Sequence, residues 1–179
     1  MPNWCENYVA IRSDDKGYLQ MLYNSLRKDD PEFLPVLRPV PRGEHTWTNW
    51  DGAGDVTKTL DGDYDWDWCI THWGTKWDVD VNSASYDGNV LEISFSSAWS
   101  PPVEALQYAA EKYGFTFELF YYEGGMMFAG RADEDYDDCV TYTYDVHPRE
   151  EVPEYILDEF PWIEEDYENY LKEKELEDA

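Results

Sequence analysis

The chain has 179 residues, 42 % of them hydrophobic and 17 % aromatic, with 9 Trp and 15 Tyr. That length suits one domain with an appendage, and the aromatic load excludes a wholly disordered chain, which could not bury enough apolar surface to offset its conformational entropy. Forty acidic against 13 basic side chains leave a net charge of −27, a field that repels nucleic acid and anionic membrane and attracts basic surfaces.

Residues 7–12 (NYVAIR) alternate as a short strand, and Ser13-Asp14-Asp15 offers helix N-caps. Leu19, Leu22, Tyr23 and Leu26 then recur at helical spacing, and the helix should stop before Asp29-Asp30-Pro31. Residues 31–65 carry many Pro and Gly and read as an irregular insertion, anchored by Phe33, Leu34, Val36 and Leu37. Trp47 and Trp50 within it are expected to be exposed. Residues 66–77 (WDWCITHWGTKW) suggest a short helix ending at Gly74, with Trp66, Ile70 and Trp73 on one face. Trp73, Trp77 and Trp99 are expected in the core. Residues 78–85 and 90–97 alternate as strands about the Asp87-Gly88 turn.

Pro101-Pro102 opens a helix to Tyr113 with Leu106, Ala109, Ala110 and Tyr113 inward, and Gly114 caps it. Strands at 116–122 and 126–132 flank Gly124-Gly125. The order strand, helix, strand, strand, helix, strand is that of a ferredoxin-like split β-α-β fold: an α+β antiparallel sheet with helices on one face. Residues 1–132 form this domain. Residues 133–179 form an acidic extension docked on it, with a strand at 140–146 and helical segments at 154–160 and 162–175. The extension holds 19 of the acidic and 3 of the basic side chains.

Three motifs carry a resemblance: Met1-Pro2-Asn3-Trp4-Cys5-Glu6-Asn7, His72-Trp73-Gly74-Thr75-Lys76-Trp77-Asp78 and Ala98-Trp99-Ser100-Pro101-Pro102. They look like the YubB-like ferredoxin-like domain proteins of bacteriophages, prophages and plasmids, over about the first two-thirds of the chain. The resemblance implies the fold and a mobile-element origin, and brings no catalytic residues.

Little in the chain fits catalytic or metal chemistry. Acids alternate from Asp61 to Asp67, but both registers miss the glycine and terminal glutamate of a calcium loop. Cys69 and His72 have zinc-like spacing without a second pair. No nucleophile motif or phosphate-binding loop is present. No metal, cofactor or catalytic residue is assigned. Three widely spaced cysteines do not make a disulfide framework. The N-terminus lacks the basic and apolar regions of a signal peptide, and no stretch is apolar enough to span a membrane, so the bacterial host cytoplasm is the expected compartment.

The expected function is non-enzymatic: binding a basic host protein, in the sharper form as a nucleic-acid mimic that inhibits a defence nuclease or DNA-binding protein. The candidate contact residues are Asp133, Glu134, Asp135, Asp137, Asp138, Glu150, Glu151, Asp158, Glu159, Glu164, Glu165, Asp166 and Glu168, with Glu164, Glu168 and Glu175 near one helix face. The plainer reading of these acids is a solvated face that keeps the chain soluble. One alternative is a hydrolase using Asp65, Asp67 and Asp78 beside a tryptophan-lined pocket. Another is a structural or assembly protein of the element. So large a charge opposes self-association unless an apolar patch overcomes it, which leaves the oligomeric state open.

Overall fold

The computed structural model describes residues 1–179. Strand β1 (Trp4–Arg12) turns Cys5, Val9 and Ile11 into the core. The Asp15 carboxylate accepts the Tyr18 N–H and caps α1 (Lys16–Leu26), whose Leu19, Leu22 and Leu26 form its buried stripe. The single turn α2 (Leu34–Leu37) has no cap of its own. Asp78 supplies one from a distance, accepting the Phe33 and Leu34 N–H groups at 3.1 and 2.9 Å. Strands β2 (Arg42–Thr48) and β3 (Asp55–Asp61) pair as a hairpin. Helix α3 (Trp66–Trp73) runs from an Asp65 cap to Gly74, which stops it at φ 84°. Then come β4 (Asp80–Tyr86), β5 (Val90–Ala98), α4 (Val103–Tyr113), β6 (Thr116–Glu123), β7 (Phe128–Ala132) and β8 (Asp137–Thr141). A 3₁₀ turn at Pro148–Glu150 leads to α5 (Glu154–Glu159) and α6 (Trp162–Glu177).

Six strands make one antiparallel sheet in the order β4-β5-β1-β6-β7-β8. β1, α1, β4, β5, α4 and β6 are the expected split β-α-β unit, and β7 and β8 lengthen the sheet beyond β6. Strand period sorts the side chains. Val9, Ile11, Ile93, Phe95, Phe117, Leu119 and Tyr121 meet α1 and α4 in the main core. Phe120 and Tyr122 face the other way and meet Ile156, Leu157, Phe160 and Ile163 in a second, smaller core. The helices of the unit thus lie on one face, and those of the extension cover part of the opposite face.

Residues 31–65 are more ordered than expected. They contain α2 and the β2–β3 hairpin, because Thr46, Trp47 and Thr48 register against Asp55, Val56 and Thr57 around a glycine-rich tip. The signal was present: two alternating stretches rich in Thr, Val and Trp flank Asn49-Trp50-Asp51-Gly52, but the preceding prolines masked it. Trp47, expected outside, is buried, since its side of the hairpin packs on α3 edge-on to His72. Trp50, at the tip, is exposed as expected. Trp73 is fully buried and donates its Nε1–H to the Arg38 carbonyl at 2.8 Å. Trp99, expected in the core, is 39 % exposed, because its φ of 71° is a left-handed geometry that turns it out of the β5 pleat, and Trp77 is only half-buried. Trp66, in the first turn of α3 ahead of its packed face, is 62 % exposed. The strand expected at 140–146 is β8, displaced toward the N-terminus by its register with β7, which pairs Ala132 with Asp137.

Candidate functional site

Many of the candidate acids serve the fold. Asp133 receives the Asp135 and Tyr136 N–H groups and pairs with Arg131 at 3.3 Å. Glu134 accepts the Phe117 N–H, and Glu151 accepts the Thr143 N–H at 2.7 Å. Asp137 receives the Tyr121 hydroxyl, Asp166 that of Tyr122, and Glu164 holds the Arg149 guanidinium through two hydrogen bonds of 2.6 and 2.9 Å. The exposed Asp135, Asp138, Glu150, Asp158, Glu159, Glu165 and Glu168 have no such duty. These free carboxylates sit on or beside β8, the 3₁₀ turn, α5 and the first half of α6, all ordered elements. Exposed acids also dot the rest of the surface, among them Asp29, Asp30, Asp51, Asp55, Asp63, Asp87 and Glu111. The extension is therefore the densest part of a charge that surrounds the molecule.

The three acids named for a hydrolytic site are all engaged elsewhere. Asp65 and Asp67 clamp the Lys58 ammonium at 3.1 and 2.6 Å, which ties β3 to the start of α3. Asp78 caps α2, and burial raises its pKa against the pull of those N–H groups. Cys69 is a buried core residue whose thiol is pushed up to about 12 by burial. His72 stacks on Trp68 with ring centroids 4.5 Å apart, and burial lowers its pKa.

Sequence reasoning missed a cleft of about 460 Å³ where the hairpin tip, α3, α4 and β8 converge. Trp50, Trp99, Lys76, Glu104 and Asp137 are among its lining residues. The Lys76 ammonium lies 5.4 Å from the ring centroids of both Trp66 and Trp99 and makes no ion pair. Gly74 is required there, because a Cβ would collide with the Glu104 carboxylate and the Pro101 carbonyl. Glu104 as a whole stays exposed, yet burial of its carboxyl against the cleft wall, and then the Asp137 charge, raise its pKa. Asp137 belongs to both surfaces, so the acidic extension meets the cleft at that residue. The sequence held a partial signal in the closely spaced tryptophans; what it hid was which of them point outward.

Residues 72–165 match the family model of the ferredoxin-like domain in Api92-like protein. The chain belongs to this family. The Api92-like match begins at His72, in the tryptophan motif, and continues past residue 132 through α5 into α6. Both the cleft-lining segments from Gly74 onward and most of the free carboxylates lie within the Api92-like region. No curated protein and no solved structure matches the chain. No helix is long and apolar enough to cross a membrane.

Proposed function

We propose that this protein is a non-enzymatic binding protein for a basic macromolecular partner. In the sharper form it is a phage or plasmid product, akin to the YubB-like proteins, acting in the bacterial cytoplasm on a host nuclease or DNA-binding protein by occupying its nucleic-acid groove. The observation that carries this reading is the set of free carboxylates on ordered elements of the extension. A folded chain gains nothing internal from these side chains, whereas a cationic surface releases its own bound anions when it meets such a set. The negative field works against nucleic acid or an anionic membrane as the ligand.

The test is capture from host lysate on the immobilised protein at about 50 and about 500 mM NaCl, beside a variant carrying Asp135→Lys, Asp138→Lys, Glu165→Lys and Glu168→Lys. The expected result is a basic protein retained at low salt, released at high salt and lost with the variant. The sharper form further requires that duplex DNA compete for that protein. A partner retained equally by the charge-reversed variant would refute the reading.

A further inference from the structure

The cleft next to Asp137 is lined by Lys76 and Trp99. Trp66 and Trp99 flank one ammonium with two indoles, and both stay in contact with solvent. In a chain with 40 acidic side chains, Lys76 has no carboxylate within ion-pair distance and rests on aromatic rings instead. Arg38 shows the contrasting arrangement: its guanidinium lies 4.1 Å from the Tyr108 ring centroid and donates to the His72 carbonyl, a half-buried contact that joins α2, α3 and α4. The Lys76 arrangement lies at the surface, beside the carboxylates of Glu104 and Asp137, and Lys76 is the one cation in the lining. Trp99 is held there at a costly backbone angle, with its N–H donated to the Asn3 carbonyl at 2.9 Å.

We propose that this cleft receives a single cationic side chain of the partner, an arginine, which enters between Trp66 and Trp99 and displaces Lys76 into solvent. The inference rests on the basic-partner reading and adds to it a specific anchor. Aromatic faces and carboxylates together complement a guanidinium, which stacks as a plane while donating in its own plane to acids such as Glu104 and Asp137. Lys76 shows that the two rings already accept a cation. Its flexible stem allows it to leave. The volume of the cleft lies in the range of small-ligand sites.

The probe is an N-acetylated tetra-arginine amide, titrated at about 150 mM NaCl while the indole N–H signals are followed by NMR. Saturable shifts are expected at Trp66 and Trp99. Lys76→Ala, by removing the resident competitor, should tighten binding about two- to fivefold, and Trp66→Ala, which leaves the net charge unchanged, should weaken it about five- to thirtyfold. Circular dichroism checks that Trp66→Ala folds, and Lys76→Ala tests the idea independently should it not. Tetra-arginine that leaves both indoles unmoved, or Lys76→Ala that weakens binding while the neutral cellotetraose shifts the same signals, overturns the proposal, the latter result marking a sugar site. Silent cleft variants alongside loss of lysate capture in the charge-reversed extension would sink this inference and leave the basic-partner reading standing. Loss of capture with Trp66→Ala alone would support the cleft and refute the free carboxylates as the contact surface.

Discussion

Glu123 and Glu165 are the same residue type with opposite duties. Glu123 is 2 % exposed and accepts the Gly125 and Met126 N–H groups, each at 2.7 Å, so it holds the β6–β7 turn closed. Glu165 points to solvent with no partner. Glu123→Ala strands two donors in a nearly dry turn and is expected to cost about 1–3 kcal/mol in urea unfolding. Glu165→Ala should fall within about 0.5 kcal/mol of the parent chain. Equal losses would mean that the free carboxylates are structural after all. Sequence alone does not separate the two, because an acid beside two glycines reads as a turn residue whether it is buried or not.

Among the elements, α6 is docked over only part of its length. Ile163 is buried, and Trp162, Tyr167 and Tyr170 pack against Phe160, Tyr144 and the 3₁₀ turn, whereas every residue from Leu171 onward is exposed. Removing residues 172–179 is therefore expected to change stability by less than about 0.5 kcal/mol, while Ile163→Ala, which empties a fully buried site, should cost about 2–5 kcal/mol. Thermal unfolding of the two variants distinguishes the halves; a large loss on truncation would show that the last turns carry load. The apolar spacing of Trp162, Ile163, Tyr167 and Tyr170 made docking legible in advance. The β2–β3 hairpin left only its alternating Thr, Val and Trp as a local signal, and its strands gain order by burying Trp47 and Leu60 in the main core.

For the whole molecule, charge works against compactness. A net −27, densest on the extension, leaves self-repulsion that added salt screens. The screening length falls from about 30 Å at 0.01 M to about 10 Å at 0.1 M. The melting temperature is thus expected to rise as NaCl is raised across this range, and a flat or falling profile would show that the ion pairs of Arg131, Arg149 and Lys58 outweigh the repulsion. The order of the split β-α-β elements, the inward leucines of α1 and α4 and the excess of acid were readable from residue order, because period, caps and composition are local properties of a chain. The cleft, the outward turn of Trp66 and Trp99, the burial of Trp47 and the division of the acids into engaged and free were decided only on folding. Each depends on which distant segments meet, and a side chain's neighbours across the sheet or between helices leave no mark in its own local pattern.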